Sequence, residues 1–284
     1  MEKKNILIAD SGSTKTDWLY VNDGRTVQFQ SAGMNPFYQN KDQVAAVLQS
    51  EVIPRLPGDV ENIFFYGAGC ANALASKPIS DALVELIATA ASQIEVASDM
   101  LGAARGLCIK EPGLACILGT GANNAFYDGV NIVRSIGSLG FWLGDEGSGS
   151  YLGKTIVVYF LQNEMPEDLQ ILFARTYPEI DRLSVLENAY KKPFPNRYFA
   201  TFSKFIGENV GHVFVRKMVT DAFDLFVKKY ILKHSHAEKY PVHFTGSIAF
   251  YYQDILRGSL SRHGLQEGKI LKSPLKGLAE YHSG

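Results

Sequence analysis

Three short turns hold the residues whose types and spacing could do chemistry. The first, Asp10-Ser-Gly-Ser-Thr-Lys-Thr16, follows an apolar run that ends in an acid. Gly12 would let the backbone approach a ligand closely, and successive N–H groups in such a turn can form an anion nest. Ser13, Thr14 and Thr16 add hydroxyl donors, and Lys15 adds a cation. Asp10, at the end of the run, has the chemistry to hold Mg²⁺ through water, since that ion takes one or two carboxylates and keeps several waters. The second turn is Gly119-Thr120-Gly121. The third, Thr245-Gly246-Ser247, is a small-residue junction into which a flat ring or a ribose can slide. Any of these alone is an ordinary turn. At matching points of a repeated unit they describe a phosphate clamp between two domains.

The elements that must position these turns are legible as periodicities. Asn5 to Asp10 is a short, β-branched apolar run, which favours a buried strand. Thr16 to Val21 and Arg25 to Ser31 flank Asn22-Asp23-Gly24, a strong hairpin signal. Helical spacing follows over Lys41 to Leu56, then a strand over Asn62 to Tyr66, a helix over Ile79 to Ile94 and a short strand over Ile94 to Ala97. Strands alternating with helices indicate an α/β domain. The pattern then restarts: Leu114 to Gly119 ends in the second turn, Asn123 to Tyr127 leads to Asp128-Gly129, and Val130 to Ile136 follows. The chain reads as an internal duplication; two unrelated hairpins in one domain are the plainer alternative. Tyr151 to His236 reads as helical, broken by Pro166, Pro178, Pro193 and Pro195. Pro241 to Thr245 reads as a late strand, and Ile248 to Leu256 as a helix opening directly after the third turn. The boundary between the copies falls near Lys110 to Gly113.

Two further motifs are decoys. Ser148 to Thr155 nearly spells a Walker A loop, but Ser148 stands where the first glycine belongs and no strand precedes it. Gly67-Ala-Gly69 opens a dinucleotide fingerprint whose third glycine would fall at Asn72. Composition narrows the class. The 284 residues suggest about two domains. With 28 Lys+Arg against 29 Asp+Glu, the net charge of −1 speaks against nucleic acid and anionic membranes as partners. Cys70, Cys108 and Cys116 are an odd number without CxxC spacing, as expected of buried thiols in a reducing compartment. Neither a secretory h-region nor an apolar run of roughly 18 residues occurs, so the expectation is a cytoplasmic protein.

The segments DSGSTKTDW, LGTGAN and FTGS, in that order, resemble the phosphate-1, phosphate-2 and adenosine motifs of the sugar kinase/actin/Hsp70 superfamily. Within it the chain is similar to the BadF/BadG/BcrA/BcrD-type ATPases, a group that includes N-acetylglucosamine kinase. Gly33-Met-Asn35, Ala97 to Ala104, Gly144 to Ser148 and Ser273 to Gly277 extend the match over nearly the whole chain. The resemblance implies an α/β fold of two ribonuclease-H-like (actin-like ATPase) domains with an interdomain active-site cleft. The first domain would span 1–110 and be rejoined by a C-terminal helix at about 273–284; the second would span 111–272 with a helical insertion. It implies ATP and Mg²⁺ as cofactors, with an amino sugar such as N-acetylglucosamine phosphorylated on a hydroxyl, the 6-OH. Carried over by position, Asp99 would be the general base, and Asn35, Asp99, Thr120, Gly121 and Asp145 would bind the sugar. Gly12, Ser13, Thr14, Lys15, Thr16, Thr120, Gly121, Gly246 and Ser247 would bind ATP, and Asp10 the metal. The plainer reading of Asp99 is an N-cap of the helix that follows it.

Two positions depart from the family pattern: Leu139 stands where a Trp is common, and Gly246-Ser247 replaces a double glycine. The implied partner is a small amino sugar, with neither nucleic acid nor membrane and with room for a homodimer. A rival branch of the same family consists of ATPase activators of a dehydratase or reductase that share an iron–sulfur cluster between subunits. Cys108 and Cys116 are numerically sufficient for that role, although the Gly-Thr-Gly of the second turn differs from that branch.

Overall fold

The first apolar run becomes the middle strand of a sheet. β1 (Ile6–Ser11) pairs antiparallel with β2 (Lys15–Asn22), which pairs antiparallel with β3 (Arg25–Ala32). The computed structural model describes residues 5–12, 14–22, 25–89 and 92–283. Ser13 and the expected Asp23-Gly24 turn lie outside the described residues. The next segment is α1 (Lys41–Val47), which runs on as a π turn over 48–52 and a 3₁₀ turn over 53–55. The single helix expected over 41–56 is thus interrupted, because Pro54 has no N–H to continue the ladder. β4 (Asn62–Gly67), α2 (Ala73–Leu86), β5 (Gln93–Ser98) and α3 (Asp99–Cys108) follow. The sheet order is β3-β2-β1-β4-β5, with β1, β4 and β5 parallel. The pleat of β1 sorts its side chains: Leu7 and Ala9 join a core with Trp18 and Phe65, while Ile6 and Ile8 join another with Leu19 and Tyr66.

The restart in the sequence is a second sheet. β6 (Gly113–Leu118), β7 (Ala122–Tyr127) and β8 (Ile132–Ser135) come first. Helices α4 (Gly140–Leu143), α5 (Gly149–Leu161), α6 (Glu167–Thr176), α7 (Arg182–Tyr190), α8 (Pro195–Thr201), α9 (Ser203–Glu208) and α10 (Val213–Lys229) follow. Two of the four prolines start helices instead of only breaking them: Pro166 immediately precedes α6, and Pro195 opens α8. The chain then forms β9 (Pro241–Thr245), α11 (Ser247–Tyr251), α12 (Gln253–Arg262), β10 (Gln266–Leu271) and finally α13 (Leu275–Ser283). The second sheet reads β8-β7-β6-β9-β10, the order of the first with each strand replaced by its counterpart. β9 lies parallel to both β6 and β10. The Asp128-Gly129 turn is a four-residue loop in which Asp128 Oδ1 accepts the N–H groups of Val130 and Asn131.

The chain divides into two compact units, one of residues 1–112, 127–133 and 273–284, the other of 113–126 and 134–272. In the first, α13 packs on α3 with Gly277 against the backbone of Gly106, an approach that a Cβ would block. Among the described residues no helix is long and apolar enough to cross a membrane.

Candidate active site

In the first unit the sheet register gathers the acidic residues. Ser11 is paired with Gly67 and Gly67 with Ser98, so the carboxyl ends of β1, β4 and β5 finish level. That edge of a parallel sheet is where α/β proteins place ligands. Asp10 lies there, and Asp99 follows Ser98 directly. The N-cap of α3 is Ser98, whose Oγ accepts the N–H of Leu101 at 3.2 Å. Asp99 is therefore not the cap; it sits in the first turn and accepts the N–H of Met100 at 2.8 Å. Burial raises the Asp99 carboxyl above its ordinary value, against the hydrogen bond from Met100. Asp10 is pushed up to about 7 by burial first and then by the charges of Asp99 and Asp17, with Lys15 opposing.

Among the described residues no donor reaches the Asp10 carboxylate. A hard divalent cation fits this chemistry, because its charge would relieve an oxygen ligand crowded by like charges. No group of three or more His, Cys, Asp or Glu side chains forms a metal cage among the described residues. Mg²⁺ would therefore rest on Asp10 and on water.

The rest of the first turn is less open than its residue types suggest. The Gly12 N–H is spent on the Lys15 carbonyl at 3.0 Å, so it adds no donor to a nest. A Cβ on Gly12 would meet only ordinary contact, so packing does not demand a glycine there. Thr16 is a correction. β2 begins one residue earlier than expected, and within it the Thr16 hydroxyl lies inward, at 2.7 Å from Ser11 Oγ and 3.2 Å from the Ala32 carbonyl. Lys15 pairs with Asp17, at 2.9 and 2.7 Å to its two oxygens, while Gln30 Nε2 donates to the same carboxylate. Thr14 is exposed and Ser13 lies outside the described residues. Ser11 is a tie that the motif reading passed over: its Oγ donates to the Met34 carbonyl at 3.0 Å and accepts the Met34 N–H at 3.1 Å. It fastens the buried Asn35 loop to the end of β1. Asn35 Oδ1 accepts the N–H of Phe37 at 2.9 Å, and its own N–H goes to Gln39 Oε1.

In the second unit β6 ends at the Gly119-Thr120-Gly121 turn, and the start of α5 holds that turn by the backbone. Gly149 N–H donates to the Gly119 carbonyl at 2.8 Å and Ser150 N–H to the Thr120 carbonyl at 3.1 Å. The stretch that resembled a Walker A loop is α5 itself. Asp145 stands over the turn: its Oδ1 accepts from Ser138 Oγ at 2.6 Å and from Ala122 N–H at 3.3 Å. Its Oδ2 lies 3.1 Å from the place of a Cβ on Gly121. Burial raises the Asp145 carboxyl, and the Ser138 hydrogen bond opposes that rise. Gly246, with φ of 114°, lies so close to the Leu118 carbonyl and Gly119 N that no side chain fits. The third turn is thereby set against the second. Ser247 is exposed and opens α11, and the buried Thr245 Oγ1 has no hydrogen-bond partner.

The departures and the cysteines are also placed. Leu139 is exposed, and Trp142 stacks on Tyr190 with centroids 5.6 Å apart. Cys70, Cys108 and Cys116 are all buried, and burial lifts the Cys70 thiol to about 11. Neither Cys108 nor Cys116 lies at a surface where a second subunit could share it.

Comparison with known proteins places the fold. A crystal structure of a candidate N-acetylglucosamine kinase from Porphyromonas gingivalis is 40% identical, covers 98% of each chain and has a TM-score of 0.92. A second candidate N-acetylglucosamine kinase, from Chromobacterium violaceum, shares the fold at 16% identity, with 98% and 99% coverage and a TM-score of 0.66. MreB 5 of Spiroplasma citri, bound to AMPPNP, does so at 12% identity, with 100% and 96% coverage and a TM-score of 0.61. No protein-family model and no curated protein matches the chain. At 40% identity over nearly its full length, the chain belongs to the family of the Porphyromonas gingivalis protein, with the fold of the sugar kinase/actin/Hsp70 superfamily.

Proposed function

We propose that the protein is an ATP-dependent kinase of the BadF/BadG/BcrA/BcrD type that phosphorylates the 6-hydroxyl of an amino sugar such as N-acetylglucosamine. The observation that carries this reading is the level finish of β1, β4 and β5, which brings Asp10 and Asp99 to one edge of the first sheet. A sugar hydroxyl is a poor nucleophile at neutral pH. Asp99, at the start of α3, is a carboxylate that can take its proton as the new P–O bond forms, help typically worth ~10²–10⁴-fold. Its raised proton affinity suits a base. Asn35 and Asp145 would bind the sugar, and Thr120 and Gly121 would adjoin both sugar and phosphate. The second and third turns would take the phosphates and the nucleoside. Mg²⁺ on Asp10, when bound, would neutralise phosphate charge. Phosphoryl transfer depends chiefly on such positioning and charge stabilisation. The burial of Cys108 and Cys116 gives no support to the cluster-bearing activator reading.

The test is ADP release across a panel of amino sugars and plain hexoses, with wild type and Asp99→Asn. The expected result is turnover with N-acetylated amino sugars, and a loss of about 10²-fold or more in kcat for the variant at unchanged sugar affinity. Because Ser98 caps α3 and burial disfavours the Asp99 charge, Asp99→Asn should not lower the melting temperature below that of wild type. ADP release that ignores every sugar would defeat the proposal.

A further inference from the structure

Two adjacent carboxylates in the second unit are used in opposite ways. Both oxygens of Glu146 are taken, Oε1 by the Lys229 ammonium and Oε2 by the Tyr230 hydroxyl. Asp145 receives its donors on Oδ1, and among the described residues none reaches Oδ2. Glu146 is therefore spent inside the protein, while Asp145 keeps an oxygen for a ligand.

Asp145 also has φ of 57°, a backbone state that a residue with a side chain keeps only when its surroundings impose it. Those surroundings can be named. Ser138 Oγ accepts the N–H groups of Asp145 and Gly140, both at 3.1 Å, while donating to Asp145 Oδ1. The Tyr230 hydroxyl stands 3.2 Å from where a Cβ on Gly144 would sit. Lys154 Nζ donates to the Phe141 carbonyl at 3.0 Å and ties α4 to α5. Glu146 is 5% exposed. Burial alone would raise its carboxyl, but the hydrogen bonds from Lys229 and Tyr230 prevail and hold it below its ordinary range. An ionised, buried carboxylate that is paired on both oxygens is a fixed point, and losing one partner leaves it uncompensated.

We propose that Lys229, Tyr230 and Glu146 form a positioning relay that, through Glu146 as the chain neighbour of Asp145 and through Tyr230 against Gly144, fixes the 138–145 loop and aims Asp145 Oδ2 at the acceptor sugar. Lys229 ends α10, with Tyr230 directly after it, so this relay would couple the far end of the helical insertion to acceptor selection. The proposal rests on the reading of Asp145 as an acceptor ligand, and two measurements keep the two apart. The first is steady-state kinetics with N-acetylglucosamine and ATP for Tyr230→Phe, Lys229→Met and the conservative Lys229→Arg. Tyr230→Phe and Lys229→Met should raise the sugar KM roughly tenfold, the scale of one hydrogen bond to a charged group, with the ATP KM and kcat within about twofold. Lys229→Arg should restore the sugar KM. The second is amide hydrogen exchange over 138–148 in the ligand-free protein, which should quicken in Tyr230→Phe. An unchanged sugar KM overturns the relay, as does an ATP KM that rises in step with it, since that is general loosening. If wild type phosphorylates no amino sugar, the kinase reading fails and exchange still decides: unchanged protection over 138–148 overturns the relay. If Lys229→Met does not fold, Tyr230→Phe carries both measurements.

Discussion

Asp10 and Asp99 are the same residue type at the same sheet edge, and their partners give them different work. Asp99 accepts a backbone N–H, whereas Asp10 has no donor among the described residues and faces Asp99 and Asp17. The folded chain consequently raises the Asp10 carboxyl from an ordinary 3.8 to about 7. A folded-state pKa above the unfolded one means that stability is complete below the unfolded value and is lost as the pH rises through the folded one. Ligand-free wild type should therefore lose stability between about pH 4 and 7 on account of Asp10. Asp10→Asn removes that charge, so its melting temperature should exceed wild type near pH 8 and converge with it near pH 4, while turnover collapses. Thermal melts at the two pH values, without nucleotide, check this; equal melting temperatures at both would refute it. The DSGST run was legible as a site because an acid and small polar residues follow an apolar run. The inward engagement of the Thr16 hydroxyl was not, because its partners, Ser11 and the Ala32 carbonyl, are brought to it by β1 and β3. The two-residue period of β2 places Lys15 and Asp17 on one face and Thr16 on the other.

The strands at the level of elements were legible because short apolar runs bounded by Gly, Asp and Ser have few other readings. Helix limits were less so. The apolar pattern suggests a helix over 79–94, but Asn72 caps α2 by accepting the Ala75 N–H, and the helix runs 73–86 with Pro78 inside it. β10 carries little apolar signal and is ordered by pairing with β9. The Glu146 partners are 83 and 84 residues away, a separation at which no spacing rule operates. α5 shows what one element contributes to the site. Its N-cap, Ser148, is fully buried and accepts the Tyr151 N–H at 3.2 Å, while the next two amides hold the Gly119-Thr120 turn. Ser148→Ala should destabilise the protein by about 0.5–2 kcal/mol, the range for a lost cap. Because the same turn would bind phosphate, the ATP KM should rise too, and Ser148→Thr should recover most of both. Urea melts paired with ATP titration of the rate test this; a lost cap without any change in ATP KM would detach α5 from the site.

At the scale of the molecule, the repeat is in the strand order of both sheets, and it was legible because each copy opens with the same strand–turn–strand signature. The return of the chain was expected only from resemblance. No periodicity says that α13 leaves β10 to pack on β1, β2 and α3. Its contacts are specific: Leu275 and Leu278 join Ile6 and Ile8 in one core, and His282 stacks on Phe64 with centroids 3.5 Å apart. The His282 ring also hydrogen-bonds the Tyr66 hydroxyl at 2.8 Å, and Tyr66 accepts from Arg105 of α3 at 2.8 Å. α13 thus braces the helix whose first residue is Asp99. Leu278 is fully buried, so Leu278→Ala should cost about 2–5 kcal/mol, the range for a core leucine, although it lies six residues from the end of the chain. Deleting 273–284 removes the brace altogether. The deleted chain should melt at a lower temperature and lose kcat more than ATP affinity, since the displaced group is the proposed base. Calorimetry and steady-state kinetics on the deletion decide the matter, and wild-type values of both melting temperature and kcat would free α3 from any dependence on α13.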